Sequence, residues 1–377
     1  MLFFMKMRRT GVADLPLHGG KVPPWLFSRM RRLARAIVKV IVVEYGRAEL
    51  LRRLSDPYWF QALGCVLGYD WHSSGVTTVV TAALREALTP EEHGVALCGG
   101  KGKKALKTPK DIEEACEKLG LSESKARELK RSSFLAAKVD NAAVQDGHSV
   151  YHHVMVVTEE GDWGVIQQGM NPQAKTARRY HWLGLELKSF EEEPHAAIVA
   201  EVKVRDVLNL VARDSRGVRR CIVDLVKEPP SRVARLLSEA SGYEPLDKWL
   251  YGSSNLRVKR VKYLKMPWRV NWKALEEAYR LQPSRFEGVL EIKGLGPSTL
   301  RGLALIADLV YGEEPSWEDP AKFSFAFGGK DGVPFPVRTK DMDVAAEFLE
   351  DAVRMAELSY REKMEALKRL KVILDAK

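Results

Sequence analysis

Residues 285–311, RFEGVLEIKGLGPSTLRGLALIADLVY, bring spacing, local structure and a binding chemistry into agreement. An apolar-periodic segment ends at Ile292, Lys293-Gly294-Leu295-Gly296 follows, and Pro297 stands where a first helical residue belongs. Leu300, Leu303, Ala304, Ile306, Ala307 and Val310 then recur at helical spacing. Two glycines around one apolar residue permit a tight reversal. They also bring unshielded backbone N–H groups to the N-terminus of the second helix, which makes a cradle for phosphate.

This pattern resembles the helix-hairpin-helix, which grips a DNA backbone without reading its sequence. Lys293, Gly294, Gly296, Ser298 and Thr299 would make those contacts. Any buried helical hairpin can also turn through Gly-x-Gly, but the charge upstream favours binding. Residues 256–273, LRVKRVKYLKMPWRVNWK, carry seven Lys or Arg and no acid, with Tyr263, Trp268 and Trp272 among them. Interleaved basic and aromatic side chains suit phosphate contact with base stacking, and Lys262, Lys265 and Arg269 are candidates for it.

The 377 residues allow two or three domains with real cores, and 45% hydrophobic with 29% charged residues is a globular composition. A net charge of +10 and a pI near 9.3 favour an anionic partner, of which nucleic acid is the commonest. Cys65, Cys98, Cys116 and Cys221 are widely spaced and form no CxxC pair, so they are expected to be reduced and structural. In MLFFMKMRRTG a short apolar run precedes the basic residues, the wrong order for a signal peptide, and no run of about 18 apolar residues could span a bilayer. A cytoplasmic protein with no membrane partner is expected.

Towards the N-terminus, Pro23-Pro24 opens an amphipathic helix and Asp56-Pro57 caps a second that runs through Leu67. GYDWHSSG at 68–75 interrupts the pattern, and Thr77 starts a helix to Leu88. Residues 99–110, GGKGKKALKTPK, carry five lysines and no acid, which predicts a mobile basic loop in contact with nucleic acid. Helical patterns at 109–119 and 122–138 give way to β-rich runs at 150–157 and 163–168. Pairing Thr158 with Trp163 places His153 opposite Gln168. Period two then sends His152 and His153 to opposite faces, one packed and one towards a site or solvent. Arg178 and Arg179, beside Tyr180, His181 and Trp182, could hold a phosphate against aromatic faces. Residues 196–204 read as a strand, 205–213 as a helix, Phe323 as the start of another strand, and Asp341 as the cap of one long helix running almost to the end. The expected architecture is α+β and predominantly helical, with a central β hairpin or small sheet and a C-terminal helix-hairpin-helix region. Its expected division is 1–138, 139–228 and 229–377.

Three activities fit these residues. In metal-dependent phosphodiester hydrolysis, carboxylates and imidazoles hold Mg²⁺ or Mn²⁺, which polarises the phosphate and activates water. His18, Asp70, His72, Asp140 and His152 are the candidate ligands, and Asp70, His72, Asp140, Asp146 and His153 the candidate catalytic groups. No fixed signature such as HExxH ties them together, and Glu201-x-Lys203, which matches half of a restriction-type nuclease motif, is a tripeptide common by chance. Base excision would use Asp319, seven residues beyond Gly312, although Ser298 stands where a lysine nucleophile would be. A non-enzymatic DNA-binding scaffold needs neither set.

RTGVADLPLHGGKVPPWL, SDPYWFQALGCVLGYDWHSSG, AKVDNAAVQDG followed by YHH, QQGMN, ARRYHWLG and GGKDGVPFPV together resemble a prokaryotic family, domain-of-unknown-function family 763, over residues 8–340. That family is seen chiefly in archaea, and the resemblance implies no activity. Its members often carry an aromatic residue in place of His148, which leaves His152 and His153 as the safer ligands. The expected function is DNA binding, with metal-dependent nuclease chemistry in repair or processing; the alternatives are the scaffold and then the glycosylase.

Overall fold

The computed structural model describes residues 22, 24–68, 75–200, 203–241, 269–323 and 339–374. Helix α1 (Pro24–Tyr45) opens on a proline and buries Met30, Leu33, Ile37 and Ile41 along one stripe. After α2 (Arg47–Ser55), Asp56 caps α3 (Pro57–Val66), accepting from the Tyr58 and Trp59 amides at 2.8 and 3.0 Å. Then come α4 (Val76–Ala87), the single turn α5 (Pro90–His93), strand β1 (Val95–Lys101), α6 (Thr108–Lys118) and α7 (Glu123–Lys138). One π-helical turn, Val139–Ala143, ends α7. Strands β2 (Val144–Gln145), β3 (Ser149–Thr158), β4 (Trp163–Asn171), β5 (Thr176–Leu183), β6 (Ala197–Ala200) and β7 (Leu208–Asn209) follow. The remaining helices are α8 (Arg216–Leu225), α9 (Pro230–Ser241), α10 (Trp272–Leu281), α11 (Phe286–Glu291), α12 (Pro297–Tyr311), α13 (Thr339–Met355) and α14 (Tyr360–Leu374).

β1, β3, β4, β5 and β6 form one antiparallel sheet in that order, and β2 pairs with β7. Both faces of the larger sheet are covered. Leu97, Val154, Val156 and Ile166 join a core with α1–α4, α13 and α14, whereas Cys98, Met155, Val157, Val165 and Trp182 join a second core with α6–α12. Alternation along each strand divides neighbours between the two. The second core runs from Ala96 to Ala321 and the first unites residues 30–97 with 349–370, so apolar packing does not follow boundaries at 139 or 229.

Several local expectations are corrected. Gly99 and Gly100 lie buried in β1, and residues 102–107 form a 3-10 turn, so 99–110 is not a free basic loop. Gly99 has φ +104°, and a Cβ there would stand 2.3 Å from the His153 carbonyl. Its N–H donates to Asp111 at 2.9 Å and its carbonyl accepts from Arg85, which ties the strand down. In the β3–β4 hairpin Val157, not Thr158, faces Trp163, because the Thr158 amide donates to the Asp162 carbonyl at 2.9 Å and closes the turn. His153 therefore faces Gln167, and His152 faces Gln168. Residues 205–213 are extended and turned instead of helical, held by Asn209 N–H to the Ser316 carbonyl and Leu210 N–H to the Ala143 carbonyl. The C-terminal helix is two helices, parted at residues 356–359, where the Ser359 hydroxyl accepts from the Glu362 amide. Phe323 makes a bridge with Val199, and the rest of the strand expected there lies outside the described residues. All four cysteines are free. No described helix is long and apolar enough to cross a membrane.

Candidate functional site

Residues 292–296 join α11 to α12. Ile292 and Leu295 are buried and anchor the turn, while Lys293 and Gly294 are exposed. Gly294 has φ +83°, a conformation glycine adopts without steric cost. The Asn271 amide group donates from Nδ2 to the Gly294 carbonyl at 3.0 Å, and the Asn271 N–H donates to Thr299 Oγ1 at 3.0 Å. The start of α10 is thereby tied to the turn, with the exposed Arg269 and Lys273 on either side of Asn271. Among the described residues no side chain caps α12 at Gly296, and a Cβ there would meet none of them within 4 Å. The positive end of a 15-residue helix thus stands at the surface. Glu287 and Glu291, the acids beside the turn, both pair with Arg131. Ser298 is half-buried, but Thr299 is 2% exposed and its hydroxyl is engaged by Asn271, so Thr299 holds the turn together and is not a surface contact.

A second polar constellation lies between the sheet and α7. The π-helical turn aims Asp140 inward, where its carboxylate accepts from Gln167 Nε2 at 2.5 Å, Trp182 Nε1 at 3.0 Å and His195 Nε2 at 2.5 Å. Burial pushes the Asp140 carboxyl up, and the His195 contact works against that rise. Gln167 in turn accepts from His153 Nδ1 at 2.8 Å, and His153 Nε2 accepts from the Ser133 hydroxyl at 2.7 Å. Asp140 and His153 are therefore parts of one relay. His195, absent from the sequence-based candidates, ends it. It lies in the β5–β6 connection, 55 residues from Asp140, and borders a cavity of about 940 Å³.

The other candidates do not converge there. Asp146 takes Arg178 Nη1 at 2.9 Å and the Tyr180 hydroxyl at 2.7 Å, and Arg178 also clamps Asp319 with both terminal nitrogens. Arg178 and Arg179 are 1% and 6% exposed, which removes both from any surface phosphate site. Arg179 faces the opposite core, where it donates to Gln61 at 3.0 Å and lies over the Phe60 ring. Asp319 is 3% exposed in its side chain and doubly held, so it is not placed to assist base excision. His148 pairs with Thr176 at 3.0 Å, and His181 bridges the Leu54 carbonyl and Arg179. His152 and His153 do point to opposite faces, yet both are buried because helices cover the sheet on each side. His152 pairs with Thr81 at 2.9 Å, and burial pulls its pKa down to about 3. Asp140 and His152 thus face different cores and cannot share an ion. Among the described residues no group of three or more His, Cys, Asp or Glu is placed to hold a metal. His18, Asp70, His72, Glu201, Lys262 and Lys265 lie outside the described residues.

Residues 11–337 match the family model described as a protein of unknown function (DUF763). No curated protein and no solved structure matches the chain.

Proposed function

The chain belongs to the DUF763 family, whose description names no activity, and from the geometry we propose that it binds the sugar-phosphate backbone of DNA through the α11–α12 hairpin. One observation carries this reading. The two apolar residues of the turn are buried, while Lys293 and Gly294 are exposed and the half-buried Gly296 opens α12 with no side-chain cap among the described residues. Phosphate oxygens accept from helix N-terminal amides, and the helix dipole favours their charge. Arg269 and Lys273 widen the cationic surface, and the chain's net charge of +10 acts in the same direction. Contacts of this kind position a duplex or single strand without reading its bases.

Fluorescence anisotropy with short labelled DNA tests the reading. Gly296→Val places a side chain where no described residue comes within 4 Å, at an ordinary φ of −93°, so it obstructs phosphate approach without straining the turn. It is expected to weaken DNA affinity about tenfold, the equivalent of ~1.4 kcal/mol. Lys293→Gln should weaken binding alike for unrelated sequences and reduce the slope of log affinity against log salt by about one. Unchanged affinity in a folded Gly296→Val protein would remove the hairpin from the interface.

A further inference from the structure

We infer that Asp140 and His195 form a general-base dyad that hydrolyses phosphodiester bonds, with the DNA strand held by the hairpin as the natural substrate. The choice of DNA rests on the binding reading above; the dyad rests on its own geometry.

The dyad takes Asp140 as ionised, the form that the donors Gln167, Trp182 and His195 favour against its burial; such a carboxylate only accepts hydrogen bonds, so the His195 nitrogen facing it, Nε2, then carries the proton. That leaves the lone pair on Nδ1. The ring is held against Trp182, with centroids 4.5 Å apart, and near Tyr180, at 6.1 Å. Asp140 is held in turn by Trp182 and by Gln167, which His153 orients. A base, a carboxylate that fixes its tautomer and groups that fix the carboxylate make up the arrangement used to activate a nucleophile.

The cavity beside His195 suits an anionic substrate. Seven basic side chains and five acidic ones line it. Glu192 gathers Arg219 at 2.8 Å, Arg216 at 2.9 Å and Arg213 at 3.6 Å, so three guanidinium groups surround one carboxylate. Glu193 also reaches Arg213 at 4.0 Å, so one positive charge of the three remains there for an anion, and the planar guanidinium fork matches phosphate oxygens. The cavity is also close to the hairpin. Arg285 and Phe286, at the start of α11, belong to its wall. The six residues of α11 span about 9 Å, so the turn at its far end and the cavity lie within reach of one strand.

In the reaction His195 Nδ1 takes a proton from water, and the water oxygen forms a bond to phosphorus. The bond from phosphorus to the leaving oxygen breaks, that oxygen takes a proton from bulk water, and the imidazolium returns its own to solvent. The products are a phosphomonoester and an alcohol. Arg213 and Arg216, whose side chains are exposed, would stabilise charge on the phosphoryl oxygens, while Arg219 is buried and engaged by the Leu210 and Ala212 carbonyls and Glu192.

The full-length protein is assayed with bis(4-nitrophenyl) phosphate and, separately, with labelled DNA, each in EDTA, Mg²⁺ and Mn²⁺. DNA binding is measured in parallel. Turnover is expected for both substrates in at least one condition. His195→Gln retains an N–H donor for Asp140 but has no basic nitrogen, and should lower turnover about a hundredfold or more in that condition. His195→Gly should lose turnover and regain part of it with added imidazole, which a structural role would not allow. Turnover by folded His195→Gln at the wild-type rate overturns the dyad, as does no turnover of either substrate by a wild-type protein that binds DNA. Hydrolysis of the small diester by a protein that binds no DNA overturns the hairpin reading and the DNA assignment while supporting the dyad.

Discussion

Arg178 and Arg179 are adjacent and of one residue type, yet they are buried in different cores because successive residues of β5 point to opposite faces. Burial alone would raise the Asp146 carboxyl, but His148, Arg178 and Tyr180 outweigh it and hold the group below its ordinary range. Arg178 is therefore shared between two buried carboxylates, Asp146 and Asp319. Removing it leaves both uncompensated, and Arg178→Leu is expected to destabilise the protein by about 3–5 kcal/mol in urea unfolding. A loss below about 1 kcal/mol would mean that water or another cation reaches Asp146, and that the arginine is available to ligands after all.

At the scale of elements, the α11–α12 turn depends on its two glycines for different reasons. Gly294 occupies the left-handed region, and a Cβ there would lie 2.8 Å from Asn271 Nδ2, the group that ties α10 to the turn. Gly294→Ala is expected to cost about 1–2 kcal/mol and lower the thermal midpoint. Gly296→Ala, with no described residue within 4 Å of its Cβ, should stay within about 0.5 kcal/mol of wild type. Equal midpoints for the two variants would show that the turn relaxes freely and that its conformation is not imposed by the core. The β3–β4 hairpin makes the same point about turns. One closing hydrogen bond, Thr158 to Asp162, sets which residue faces His153.

For the molecule as a whole, helical layers on both faces of one sheet leave several histidines buried and neutral. Burial lowers the pKa of His93, His153 and His181 as well as that of His152, which falls to about 3. Unfolded histidines titrate near pH 6.5, so above that pH neither state gains a proton and these groups leave stability unchanged. Below it the unfolded chain binds protons that the folded chain refuses. Stability should fall as pH drops from about 6.5 towards 3, by up to about 1.4 kcal/mol per pH unit for each such histidine. Thermal midpoints measured from pH 8 to pH 4 check this, and His152→Asn should make the decline shallower. A midpoint that stays level between pH 6.5 and pH 4.5 would mean that the histidines open to water before the protein unfolds.

The helical spacing around Met30–Ile41, the Asp56-Pro57 cap and the Lys293–Pro297 turn are local signals, set by neighbours along the chain, and the sequence alone determined them. It also determined that residues 150–168 form a hairpin, since β-branched runs around a glycine turn need no distant partner. The hairpin's register, the burial of both arginines and the inward turn of Asp140 came only from tertiary structure. A helix packed on the second face of a sheet reverses what an exposed strand residue does, and no period in the sequence reports it. His195 is the sharpest instance. It reaches Asp140 across 55 residues through the sheet connection, and a contact that distant is made by packing alone.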